Sequence, residues 1–357
     1  MRGRSLAAAV GFALGAALLS TACGAGGEPE EFVPDLADVP AVDLEVRRFE
    51  HDLARAAADS ARGDGAVALR AAYPVFFDSV WLEIMLPTRR RGARAADYDS
   101  ALVAAFATQP LLARLLDSVT RAYPLPPAGG PAPPWQTDLE RAFRYARYYL
   151  PDAPTPRVVT YVSELGLGAF TYGDALLGVG LDYHLGAGFP GYDPNVFPRY
   201  IQRAMNAEHI APRAVEAWVS GLLGDAPGER MLDQMIHNGK LLYLKERLLP
   251  HAPDTAVLGF SESQLAWLRD NEAPMWAHYL DEELLYDTKP ARIGKHVGVS
   301  PNAPGMPPEA PGGGANWVGM RIVEQYMARR PGATLADLIA ERDAQRLLAA
   351  SKYKPRG

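Results

Sequence analysis

Residues 157–183 read RVVTYVSELGLGAFTYGDALLGVGLDY, and their texture differs from the rest of the chain. Residues 157–164 (RVVTYVSE) are β-branched and alternating, the pattern of a strand with one face in a core. Residues 169–172 and 175–183 form a hairpin pattern around Gly173-Asp174, a pair suited to a tight two-residue turn. One further short strand is expected over residues 42–49 (VDLEVRRF), which also alternate. Almost everything else reads as helix or loop.

Upstream, Leu69, Tyr73, Phe76, Phe77, Val80, Trp81 and Ile84 recur at helical spacing within residues 66–85, with Pro74 marking a turn or kink. Residues 98–106, 111–123 and 138–150 read as further helices, and the Pro/Gly-rich stretch 124–134 as a surface loop. Downstream, helices are expected over 198–207, 212–222, 230–249, 261–286, 317–327 and 335–350. A second Pro/Gly loop covers 297–314. Ser261 and Gln264 have the spacing of a capping box. The strands do not alternate with helices, which argues against a doubly wound sheet. The expected fold class is therefore α+β, α-rich, with a small mid-chain sheet flanked by helices. Residues 41–357 are expected to form a single domain, with 41–150 as a possible helical subdomain.

The chain has 357 residues, 48% apolar and 22% charged, enough for a large core. Its net charge of −6 argues against a nucleic-acid partner, because binding to phosphate backbones rests on an excess of Lys and Arg. Cys23 is the only cysteine, which excludes a disulfide framework and a Cys-rich zinc site.

That cysteine ends an address. Arg2 and Arg4 precede an apolar run over 7–19, and Ser20-Thr21-Ala22 lead into Cys23. Residues 1–22 have the layout of a secretory signal peptide. A cysteine directly after small residues resembles a bacterial lipobox, where the thiol takes a diacylglyceryl group; Ser20 stands where Leu is usual. Residues 23–40 then read as a lipidated Cys23 and a flexible tether. The expected location is the bacterial cell envelope, with the outer membrane favoured over the inner. The expected partners are the membrane, through the lipid, and other envelope proteins.

Catalytic motifs are sparse. The seven histidines stand at 51, 184, 209, 237, 251, 278 and 296, so no pair has the i, i+4 spacing that aims two imidazoles at one metal. No G-x-S-x-G elbow and no Walker A loop occurs. Gly186, Gly188 and Gly191 spell G-x-G-x-x-G, but Pro190 interrupts it and no return strand follows, so the stretch reads as a turn-rich loop. Trp317 follows the glycine-rich residues 311–316, which read either as a place where backbone N–H groups meet a ligand or as a tight start of a helix.

Several strings carry a resemblance: VGLDYHLG (179–186), RYIQRAMNAEHI (199–210), MLDQMIHNGKLLYLKERLLP (231–250), GFSESQLAWLRDNEAPMW (259–276), LLYDT (284–288), PGGGANWVGMRIVEQYM (311–327) and SKYKP (351–355). In this order they resemble the gliding-motility-associated lipoprotein family GldB. Arg48-Phe49 and YPVFF (73–77) match it more thinly. The same half resembles, more distantly, the zincin metallopeptidases. That resemblance implies a zincin-like domain whose metal helix falls at residues 199–210 and whose third acidic ligand falls near Asn238. Glu208-His209 and the uncharged Asn238 stand at those places, so it also implies a degenerate site.

The leading expectation is a non-catalytic envelope lipoprotein, a component or accessory of a gliding-motility or protein-secretion apparatus, with no cofactor. The alternative is an envelope hydrolase with a non-standard zinc site, assembled from Asp182, His184, Glu208, His209 and His237. A ligand site at Trp317 and its glycine loop is the third reading.

Overall fold

A four-stranded sheet organises the chain. The strands are β1 (Val46–Arg48), β2 (Arg157–Tyr161), β3 (Ala169–Tyr172) and β4 (Leu176–Gly180), in the order β1-β2-β4-β3. β1 and β4 both run parallel to β2, and β3 returns antiparallel to β4. The two central strands are apolar on both faces because both faces are covered. Val158, Leu177 and Val179 meet the main core, while Val159, Tyr161 and Leu176 meet a second one. Gly178 is required on that second face: the Phe170 ring lies where its Cβ would be, 2.1 Å away.

These observations come from a computed structural model that describes residues 33–58, 65–85, 99, 101, 103 and 109–356. Residues 1–32, which hold the expected signal peptide, Cys23 and most of the expected tether, and most of the helix expected over 98–106 lie outside the described residues. Asp35–Gly357 forms one compact unit. The α-rich α+β class expected from the sequence is what the chain adopts.

The second core is aromatic. The strand expected over 42–49 stops at Arg48, because Phe49 opens helix α1 (Phe49–Ala58), with Glu50 and Asp52 in its first turn. Phe49 sits 5.1 Å from Tyr73, 4.8 Å from Phe76 and 5.5 Å from Trp81, centroid to centroid. The stripe over 66–85 divides into α2 (Gly65–Ala72) and the π-wound α3 (Phe76–Met85), with the bend at Tyr73 just before Pro74. Glu50 is fully buried but satisfied, by Arg48 Nε at 2.6 Å and the Thr160 hydroxyl at 2.8 Å.

The main core gathers the remaining helices. α4 spans Pro110–Ala122, and α5 (Pro134–Tyr149) opens at Pro134 rather than residue 138, since proline suits a first helical turn. The helix expected over 198–207 is only one turn, α6 (Arg199–Gln202). Asn206 is extended there, and its side chain accepts the Glu208 N–H at 3.0 Å. That cap resets the chain into a 3₁₀ turn (Ala207–His209), and α7 (Ile210–Leu223) follows. α8 (Met231–Leu248) and α9 (Asp254–Leu258) come next.

The expected 261–286 helix is two helices, α10 (Glu262–Asp270) and α11 (Glu272–Asp281). Pro274 has no N–H to offer the Asp270 carbonyl, so the chain restarts at Asn271. After α12 (Pro290–Val297) and α13 (Gly314–Ala328), the expected 335–350 helix also divides, into α14 (Leu335–Ala340) and α15 (Ala344–Ser351). There Asp343 acts as a fresh N-cap, accepting the Arg346 N–H at 3.0 Å. α8 and α13 cross closely at Gly239 and Gly319: a Cβ on Gly319 would lie 1.9 Å from the Met235 carbonyl oxygen.

Candidate functional site

Among the described residues, β3 has a strand partner on one side only. The Gly180 N–H donates to the Gly168 carbonyl at 2.8 Å, which sets the phase of the hairpin ladder. Gly168, Phe170 and Tyr172 therefore exchange bonds with β4. The N–H and C=O groups of Ala169 and Thr171 point to the free edge. The hairpin closes through three residues, Gly173 to Ala175, rather than two, because the Ala175 carbonyl accepts the Arg157 N–H of β2 at 2.9 Å.

α7 runs beside this edge, and between them lies an open groove of about 540 Å³. One wall is residues 166–171. The other is the α7 face that carries Arg213, Glu216, Ala217, Ser220 and Gly221. The opposite face of α7, with Ala214, Val215, Trp218 and Val219, is in the main core. Close approach depends on glycine at Gly168, where a Cβ would lie 2.8 Å from Arg213 Cδ.

The groove is charged. Glu216 Oε2 accepts from Lys245 Nζ of α8 at 2.6 Å. Burial pushes the Glu216 carboxyl up, but Lys245 and Arg213 outweigh it and hold its pKa below the usual range. Arg213 lies over the Tyr183 ring at 5.7 Å, its Nε is buried without a hydrogen-bond partner, and its guanidinium enters no ion pair among the described residues.

Asp182 and Ser163 build the rim. Asp182 is fully buried, and its Oδ2 accepts the N–H groups of Ser163 at 3.0 Å and Leu165 at 2.7 Å. This holds a turn in which Glu164 and Leu165 both have positive φ and which delivers Gly166 to Gly168 to the groove. Burial raises the Asp182 pKa to about 6, against the lowering effect of those N–H groups.

His184 and His209 meet at Asn206, one bonding its carbonyl at 3.0 Å and the other its side-chain oxygen at 2.9 Å. Burial first, and then the Arg213 cation, lower their pKa to about 3 and about 4. The other candidates lie elsewhere. Glu208 is exposed and lines a separate cavity of about 160 Å³ with Tyr145 and His251. His237, lowered by burial, has Lys240, Arg342 and Asp225 as its charged neighbours. Asn238 donates to Asn316 at 3.0 Å. Trp317 is buried in the main core, and the Gly312 and Gly313 N–H groups bond the Ser300 and Lys295 carbonyls, both at 3.1 Å. The glycine loop thus leads straight into α13, and its Gly312 and Gly313 amides are engaged within the protein.

The five residues of the alternative zinc site do not converge. Among the described residues, no group of three or more His, Cys, Asp or Glu is disposed to hold a metal. The helix beside the edge strand is α7, not residues 199–210, and its charged pair is Arg213 and Glu216. No motif marks these two in the sequence, although they are the only charges in IAPRAVEAWVSGLL.

Fold and groove define an α-rich α+β module whose open-edged sheet borders a charged cleft. The chain belongs to the gliding motility protein GldB family, whose family model matches residues 30–355. No curated protein and no solved structure matches the chain. Among the described residues, no helix is long and apolar enough to cross a membrane.

Proposed function

We propose that the chain is a lipid-anchored, non-catalytic component of the envelope machinery for gliding motility or protein secretion. Membership of the gliding motility family carries the motility role. The lipobox-like approach to Cys23 supports the anchor. The groove chemistry supports binding over catalysis. Its one carboxylate is engaged by Lys245 and held ionised, which makes it a poor proton donor. His209 and His184 are held neutral and already bonded to Asn206. An antiparallel edge strand beside a helix supports a degenerate zincin-like origin.

The test is a chromosomal deletion complemented with wild type or Cys23→Ala. Spreading on agar is lost in the deletion, restored by wild type and not by Cys23→Ala, which leaves the membrane fraction. Normal spreading of a clean deletion would sink the motility role. Stoichiometric zinc in protein purified without chelator would overturn the non-catalytic reading.

A further inference from the structure

The geometry points to the β3–α7 groove as a recognition site for an extended peptide segment that adds to β3 as a fifth strand and places a carboxylate on Arg213. This deepens the proposed function, since it rests on the groove binding rather than cutting. Three independent features of the groove converge on it.

The first is the edge. Ala169 and Thr171 present alternating donors and acceptors, which only another extended backbone satisfies in full. A free phosphate or a lipid headgroup would use the guanidinium and leave the edge open. The second is space. The groove of about 540 Å³ runs along residues 166–171, long enough for an extended segment of about six residues, and it ends where α7 closes on β3 at Gly221, whose Cβ would lie 3.0 Å from Thr171 Oγ1. The third is charge. Glu216 is already neutralised by Lys245, so Arg213 is left as the groove's uncompensated cation. A half-buried guanidinium with an unpartnered Nε, stacked over Tyr183, is a fork waiting for a planar anion. The occupant is therefore an acidic segment of an envelope partner, bound by its main chain and selected by one Asp, Glu or terminal carboxylate.

The probe is a displayed library of random dodecapeptides, panned on the detergent-solubilised full-length protein. Enriched peptides are expected to share one acidic position. The leading peptide, made synthetically, should bind at least about tenfold more weakly when its acidic residue is replaced by the matching amide, with the protein untouched. Arg213→Ala should cause a similar loss, and Arg213→Lys a smaller one because it keeps charge without the fork. Thr171→Pro removes an outward N–H and leaves the β4 ladder intact, so it should also weaken binding. Hydrogen exchange at the Ala169 and Thr171 amides should slow on binding. Failure to enrich any peptide, enrichment of neutral peptides, or binding indifferent to the acid-to-amide change would each overturn the inference. Cleavage of the bound peptide would instead sink the non-catalytic reading and leave strand addition standing.

Discussion

Lys245 Nζ donates to Glu216 Oε2 across 2.6 Å, tying α8 to α7; the Lys245 side chain is 4% exposed and the Glu216 side chain 46%. The pair is asymmetric, with its cation inside and its anion at the groove. Glu216→Ala strands a buried ammonium. We expect it to cost about 2 kcal/mol, less than a fully buried pair because Glu216 faces solvent. Lys245→Met removes the cation along with the need for a partner and should cost less. The sign of the pH effect follows from the direction of the shift. Glu216 is held below its ordinary value, so its stabilising share is present above about pH 4.5 and fades as pH falls. In Lys245→Met burial dominates, and that share reverses. Urea unfolding of the three proteins at pH 7 and pH 4 measures both effects.

Asp182 and the two histidines at Asn206 push stability in opposite directions with pH. His184 and His209 titrate near 3 and 4 when folded and near 6.5 when unfolded. Their contribution is present above about pH 6.5 and lost as pH falls, at roughly 1.4 kcal/mol per unit for the buried His184 and less for the partly exposed, solvent-screened His209. Asp182 is raised to about 6, so its contribution is present below about pH 4 and lost as pH rises through 6. Asp182→Asn keeps an oxygen for the Ser163 and Leu165 amides and removes the buried charge. Relative to wild type it should therefore gain about 2–3 kcal/mol between pH 4 and pH 7. A flat difference across unfolding curves at pH 4, 5, 6 and 7 would contradict this.

Ser261→Ala tests a boundary that was readable in advance. The Ser261 hydroxyl accepts the Gln264 N–H at 3.3 Å, and the Gln264 side chain returns a bond to the Ser261 N–H at 3.0 Å. Losing this reciprocal cap should cost about 1 kcal/mol. The loss should be local, so amide exchange should quicken in the first turn of α10 and not in α13.

The parts that sequence reasoning recovered are those set by neighbours along the chain. The 157–161 strand, the hairpin, the Ser261 cap and the long α8 each follow from periodicity or turn chemistry. Over 261–286 the apolar spacing runs on past Pro274 and predicts one helix, but the proline decides against the spacing and the chain forms two. The groove was hidden for a different reason. It exists because β4, not β3, lies against β2, and that choice depends on packing Leu177 and Val179 into the main core. Nothing local marks β3 as the free strand. Likewise Glu216 finds Lys245 only because α7 packs on α8. Arg213 and Glu216 within an apolar helix were a visible signal, since charges three apart share a face.

Among the described glycines, Gly319 is the one where an added Cβ would lie nearest to its neighbour, and it gives the last prediction. At Gly319 a Cβ would lie 1.9 Å from the Met235 carbonyl oxygen, and at Gly239 it would lie 2.3 Å from the Gly319 carbonyl carbon. Both obstacles are backbone, so no side chain can swing aside. Gly319→Ala must push α13 off α8, and that crossing carries Met235, Ile236, Met320 and Val323 into the main core. We expect a loss of about 3 kcal/mol or more, at the upper end of overpacking effects. Alanine would normally favour a helix over glycine, so a rise in melting temperature would show that propensity outweighs the crossing. A fall, with the β3–α7 groove unaltered in the surviving folded fraction, would show that the α8–α13 crossing carries stability independently of the groove.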